Sequence, residues 1–337
     1  MNKQEIAEAL RDPTAGETLF AEADRVRRQF CGDAAQLRGV VHFSNYCCCD
    51  DLYCGLRKSN RTIERFRMSE DQIVDTALSV AAAGLRTVVL QSGEDGFFTR
   101  ERVCAILGRI LERADVAITL SLGERPPDDL RAFREAGASR YLMKHETMNP
   151  DLYARMRPGR TLADRLRALE TIRALGYQTG VGNIVGLPGQ TLDDLVDDIS
   201  FFQDFQPDMV NIGPFIPDAS TPLGDAPAGD MELMLRVFAL TRIVTGNTHL
   251  AAANTVATLD PGEGQYRALV QGGANVIMPN CNPFAQSKKD KVEYEFQITT
   301  KKRYVSVEEA RKVLRRAGRT VAAGRGDSLK MQGAAHD

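Results

Sequence analysis

The 337-residue chain lacks an apolar run of membrane-spanning length, an excess of charge of either sign, and any short-period repeat or low-complexity block. The first absence argues against a helical membrane span. The formal charge of -2 argues against general attraction to nucleic acid or anionic membrane, so partners are expected to be small molecules or proteins. The start, "MNKQEIAEALRD", is charged and amphipathic, which predicts a helix rather than a signal peptide and hence a cytoplasmic location. An even set of cysteines is missing too. Seven in a long chain without a secretory signal argue against a disulfide framework and for reduced thiols, metal-bound or buried.

What is present is an alternation that runs from end to end. Short apolar runs read "GVVHFSN", "RTVVLQS", "VAITLSLG", "RYLMKHE", "TGVGNIVG", "MVNIGPFIP", "HLAAANTVA" and "ANVIMPN", each followed by a segment of helical periodicity. Runs this apolar are unsuited to burial on one face only. They predict parallel strands wrapped by helices, hence a (β/α)8 TIM barrel, with an open doubly wound sheet as the alternative. Helix signals support the spacing: Ser69 opens "SEDQIVDTALSVAAAG" as an N-cap and Gly84 ends it. The expected organisation is a helical extension over 1–38, the barrel over 39–300, and a C-terminal helix with a flexible tail over 301–337.

Polar chemistry gathers at the strand ends. Cys47 onward follows the first run, Ser92-Gly93-Glu94 the second, Ser121 ends the third, and His145-Glu146 the fourth; Asn183, Gly186, Pro214, Asn254 and Asn280 continue the series. In a parallel barrel these ends meet at one mouth, where active sites are built. The stretch after the first run, "FSNYCCCDDLYCGLR", places four cysteines in eight residues. Cys47 and Cys54 stand seven apart, like the outer ligands of a Cys-x3-Cys-x2-Cys iron-sulfur loop. Asp51 occupies the middle position, and Cys48 and Cys49 are extra.

This ordered series resembles the radical SAM superfamily, in the branch of biotin synthase, methylornithine synthase and the HydE maturases of FeFe hydrogenase. The HydE likeness runs through "FSNYC", "LYCGLR", "LQSGED", "TLSLGE", "HETMNP", "ALGYQTGVGNIVGLPGQTLDDLVDD", "NIGPFIP" and "GGANVIMPN". It implies one 4Fe-4S cluster, S-adenosylmethionine (SAM) and an electron donor such as flavodoxin or ferredoxin, in a chain that is a monomer by default. By position, the resemblance places Tyr53 near the adenine, and Ser92, Glu94, Ser121, Glu146 and Arg165 on SAM. The "GNIVG" strand, Gly182 to Gly186, would lie along the adenine. Thr119, Lys144, Met209, Ala253 and Asn254 would face a small anionic substrate.

Three departures bear on the reaction. The metal ligands read Cys47, Asp51 and Cys54, with Cys49 or Cys48 as alternatives for the third place. Carboxylate is a harder donor than thiolate and suits iron-sulfur clusters less well. Lys144 stands where HydE has arginine, and Ala253-Asn254 where it has paired threonines, which points to a related but different anion, amino-acid-derived or thiol-containing. The segment "NPFAQSKKDKVEYEFQITTKKRYVSVEEA" beyond the eighth run contains no cysteine, so a second cluster there is not expected. Three readings stay open: a HydE-like radical SAM enzyme, FeFe-hydrogenase maturation proper, and a non-radical carrier, scaffold or sensor.

Overall fold

Eight parallel staves close on themselves in the computed structural model, which describes residues 1–12, 14, 16–282 and 304–330. The first stave is β1 (Ala34–Leu37) continued after Arg38 by β2 (Gly39–Ser44). There follow β3 (Thr87–Ser92), β4 (Ala117–Ser121), β5 (Arg140–Leu142), β6 (Gln178–Val181) with its continuation β7 (Ile184–Val185), β8 (Met209–Pro214), β9 (His249–Ala252) and β10 (Val276–Ile277). Neighbours pair in this order. Closure comes from the first stave: β2 pairs β3, with Val41 opposite Leu90, while β1 pairs β10 and a further bridge joins Val40 to Asn280. The eight apolar runs of the sequence are these staves. Every residue of β2 is buried, as strands covered on both faces require.

Two helices precede the barrel, α1 (Lys3–Arg11) and α2 (Gly16–Cys31). Around it run α3 (Glu70–Ala82), α4 (Arg100–Leu111), α5 (Pro127–Glu135), α6 (Pro150–Met156), α7 (Leu162–Ala174), α8 (Leu192–Phe205), α9 (Met231–Thr245), α10 (Asn254–Leu259), α11 (Gly264–Val270) and α12 (Val307–Arg316). Ser69 caps α3 with a reciprocal bond to Gln72, and Gly84 leaves the helix at φ +81°, both as the sequence predicts. The N-terminal helices bury Ile6, Leu10, Leu19 and Ala23 in the same apolar core as the barrel. No helix among the described residues is long and apolar enough to cross a membrane. The expected boundary at 300/301, and most of the segment in which a second cluster is not expected, lie outside the described residues.

The flexible tail expected from the sequence is corrected over its first part. After α12, β11 (Thr320–Val321) pairs β1, and residues 325–328 then close the N-terminal end of the barrel. Buried Arg140 donates to the Arg325 carbonyl at 2.7 Å and to Asp327 Oδ1 at 2.8 Å. Arg38 donates to the Gly326 carbonyl, Gln178 to Asp327, and His249 meets the Asp327 carbonyl. The reason is the floor of the barrel, which carries cations that burial would leave unpaired. Sequence periodicity shows no such demand from residues nearly two hundred positions away.

Burial alone would raise the Asp327 carboxyl, but hydrogen bonds from Gln178 and Arg140 outweigh it and hold it below 3.8. A depressed carboxylate contributes stability above its unfolded value and loses it as pH falls through the folded one. Asp327→Asn is therefore expected to destabilise by about 1–2 kcal/mol at neutral pH, with the difference from wild type shrinking below pH 3.8. Urea melts at several pH values check this.

Candidate functional site at the barrel mouth

At the C-terminal ends of the staves lies a cavity of about 300 Å³. Val40, Leu142 and Met278 form its apolar floor, part of the inner layer completed by Val89, Ala251 and Val276. Its walls carry Cys47, Cys49, Asp51, Tyr53 and Cys54 from the loop after β2, Ser92 and Glu94 after β3, and Ser121 at the end of β4. Lys144 and Glu146 after β5, Arg157, Arg165, Asn211, Pro214, Ala253, Asn254 and Thr255 complete them.

The cysteine loop is held by backbone contacts that depend on a missing side chain. A Cβ on Gly93 would lie 2.3 Å from the Tyr46 carbonyl and 2.9 Å from Cys47 Cβ, so only glycine lets the β3 turn press against the loop. There Cys48 N–H donates to the Glu94 carbonyl. Further on, Leu52 N–H bonds Met156 at the end of α6, and Lys58 N–H bonds the Cys49 carbonyl at 2.7 Å. Cys47, Cys49 and Cys54 face the cavity; Cys48 is exposed and does not line it. Burial, then the charge of Asp51, push the Cys54 thiol up to about 12. Asp51 is raised by burial, which outweighs its ion pair with Arg157 (Nε to Oδ1, 2.9 Å).

Above the loop, three arginines meet two glutamates. Glu94 lies 3.6 Å from Arg157, 3.1 Å from Arg160 and 3.9 Å from Arg165. Glu124 pairs with Arg160 and Arg165, each at 3.0 Å. Gly123, at φ +71°, leaves the space that the Glu94 side chain fills. Arg157 caps the C-terminus of α6, and Arg165 sits in the first turn of α7 behind the Thr161 cap. Sequence reasoning found Glu94 and Arg165 but missed Arg157, Arg160 and Glu124. The available signal was "RMRPGR", three cations on the connection that follows the fourth strand end.

On the far wall, Lys144 Nζ opens into the cavity 3.8 Å from Glu146 Oε2. Burial lowers its pKa, with Glu146 and Asp198 opposing. Glu146 has φ +69°, a conformation that costs a non-glycine residue about 1–3 kcal/mol. It is pinned there by Glu146 N–H to the Gly182 carbonyl and Ile184 N–H to the Glu146 carbonyl, and its buried Oε2 lacks a hydrogen-bond partner. His145 is fully buried outside the cavity against Phe201 and Phe202, 3.4 Å from Asp198, which fits a structural role.

Four expected site residues fall elsewhere. Thr119 and Met209 do not line the cavity: both lie near the N-terminal end of the barrel, where Thr119 pairs with Arg140 in register and the Met209 sulfur accepts from Arg38. Gly182 and Gly186 do not line the cavity and lie tightly against backbone. A Cβ on the first would strike the Asn211 carbonyl, and on the second Gly229. Asn254 lines the cavity, with one amide N–H donating to the Met278 carbonyl and its oxygen accepting from the Val305 N–H. Asn211 and Thr255, not anticipated, offer free surface beside it.

The donor set fits a cluster with SAM. Three thiols and a carboxylate share one wall with carboxylates, hydroxyls and a guanidinium suited to the ammonium, ribose and carboxylate of SAM, and Glu146 Oε2 lacks a partner that such a ligand would supply.

Comparison with known proteins agrees. The profile of the radical SAM superfamily matches residues 43–202. The FeFe hydrogenase maturase subunit HydE of Thermotoga maritima is 44% identical over 82% of this chain and 78% of its own length. Biotin synthase of Acidothermus cellulolyticus is 28% identical over 77% of this chain and 78% of its own. Among solved structures, methylornithine synthase (PylB) shares the fold at TM-score 0.83 and 21% identity, over 98% of this chain and 96% of that one. The chain belongs to the radical SAM superfamily, as a HydE-like radical SAM enzyme.

Proposed function

We propose that the mouth cavity binds SAM beside one 4Fe-4S cluster and a small anion, amino-acid-derived or thiol-containing, and directs radical chemistry onto that anion. The observation that carries this reading is the convergence of the thiols, the Glu94–Arg165 ion network and Lys144 on one cavity. When bound, the cluster supplies the electron that cleaves SAM to a 5'-deoxyadenosyl radical. Cys47 and Cys54 hold it, with Asp51, Cys49 or Cys48 in the third place. Arg165, steadied by Tyr153 at 3.1 Å, receives the SAM carboxylate as a planar fork, and Glu94 receives its ammonium. Ser92, Ser121 and Glu146 offer acceptors to the remaining polar groups, and Tyr53 a flat wall. Lys144 places the substrate anion as a point charge, flanked by Ala253, Asn254 and Thr255. The apolar floor excludes water from the radical. The electron comes from a carrier such as flavodoxin or ferredoxin.

The 44% identical HydE supports a second reading, hydrogenase maturation proper; Lys144, a point charge in place of a planar fork, favours a different anion. A non-radical SAM- or metal-binding carrier, scaffold or sensor, suggested by Asp51, has less support beside 44% identity to a HydE maturase.

Three outcomes check this account. Anaerobically loaded protein, reduced in the presence of SAM, should yield 5'-deoxyadenosine by chromatography; none from a fully loaded protein contradicts the reading. Glu146→Gly should keep stability within about 1 kcal/mol of wild type, since glycine accepts the left-handed backbone at no steric cost, while calorimetry shows SAM binding about tenfold weaker, a loss of about 1.4 kcal/mol. Because burial lowers Lys144, its attraction for an anion is complete below the lowered pKa and lost as pH rises through it. Competitive acylation read by mass spectrometry should find Lys144 half-reactive below 10.5.

A further inference from the structure

We propose that Asp51 is the third protein ligand of the cluster, through Oδ2, and that Arg157 is the positioning residue that presents it. The inference rests on the functional reading above and concerns the one place in the ligand set that the sequence leaves open.

Asp51 shares the cavity wall with Cys47 and Cys54, and the Cys54 N–H donates to its carbonyl in a tight turn. Its two oxygens are unequal. Oδ1 accepts from Arg157 Nε at 2.9 Å, and no hydrogen bond to Oδ2 is made by the described residues. A desolvated carboxylate gains from having both oxygens satisfied. One oxygen on a fixed outer donor and the other facing a metal position is how proteins orient a ligating carboxylate. Arg157 is suited to that task because it cannot wander. It is 3% exposed, caps α6, and donates through Nη1 to the Tyr153 hydroxyl at 2.9 Å. The loop is tied to the same helix end by the Leu52 N–H bond to Met156.

The rival thiols meet a different guanidinium, although Cys49 also lies beside Cys47 on the cavity wall. Cys49 Sγ accepts from Arg160 Nη2 at 3.4 Å and stands 3.8 Å from Arg157 Nη2. The same Arg160 nitrogen reaches Cys48 Sγ at 3.9 Å and Glu94 at 3.1 Å. Those three donors lie within 4.8 Å of one another around a guanidinium, and Cys48 is exposed outside the cavity. Bringing Cys49 to the cluster would strip it of its contact with Arg160. The consequence is an iron held by a harder, weaker donor than its thiolate-bound neighbours.

The test is iron retention, not turnover. Wild type and variants are reconstituted anaerobically with iron and sulfide, their folding is checked by thermal melts, and iron content, Mössbauer spectra and the rate of iron loss to a chelator are measured. Cys48→Ala and Cys49→Ala should keep the wild-type spectrum and iron content. Asp51→Ala should lose the cluster, and Asp51→Cys should bind it and release iron more slowly than wild type. Arg157→Leu should weaken iron retention about 10- to 100-fold, as loss of an outer partner does, and should have no such effect in the Asp51→Cys background, where it has no carboxylate to present. Cluster loss in Cys49→Ala or Cys48→Ala with retention in Asp51→Ala overturns the assignment. So does faster iron loss from Asp51→Cys than from wild type. A wild-type chain that takes up no cluster overturns the functional reading beneath it.

Discussion

One buried guanidinium organises the mouth of this barrel. Arg157 reaches Asp51 on the cysteine loop and Glu94 on the turn after β3, so the two walls meet through a single planar cation. Buried ion pairs add little net stability, because desolvation offsets attraction, but removing one partner costs about 3–5 kcal/mol. Their value is geometric. Four acids, Asp51, Glu94, Glu124 and Glu146, face Arg157, Arg160, Arg165 and Lys144. A ligand carrying both a carboxylate and an ammonium can enter such a set by exchanging partners, without leaving a charge stranded.

Backbone fit makes this network possible. The loop reaches its place because Gly93 has no side chain, and Glu146 turns into the cavity only because bonds to Gly182 and Ile184 hold it in a left-handed conformation. Strain held by neighbouring backbone is a mark of function when the strained side chain faces a cavity. Glu146 meets that description. Gln206, which also has positive φ, simply ends α8.

The barrel was legible because each stave is apolar on both faces and most runs are followed by a capped helix. All eight runs became staves, and Ser69 and Gly84 bound α3 where expected. The site was legible where chemistry sits at strand ends: Cys47, Glu94, Ser121 and Glu146 arrive at one cavity. It was less legible where function depends on depth along a strand. Thr119 and Met209 point toward the barrel's lower end, a difference of one layer that period alone does not reveal. Arg157 and Arg160 were hidden because helix-end arginines are ordinarily solvated, and only the fold turns "RMRPGR" inward. The closing of the floor by Asp327 was likewise out of reach, since its partners Arg140 and Gln178 are distant in sequence.

The expected departures, Asp51 on the cysteine loop and Lys144 with Ala253-Asn254 across from it, fall on two walls of one cavity. On the proposed function, that division suits an enzyme that makes a radical but differs in what holds the iron and what receives the radical. The most direct measurement is anomalous diffraction at the iron edge from crystals of the anaerobically loaded, SAM-bound protein. The account predicts iron among Cys47, Asp51 and Cys54, with SAM reaching Glu94 and Arg165. Metal at Cys48, Cys49 and Glu94 instead, or SAM without iron, would contradict it.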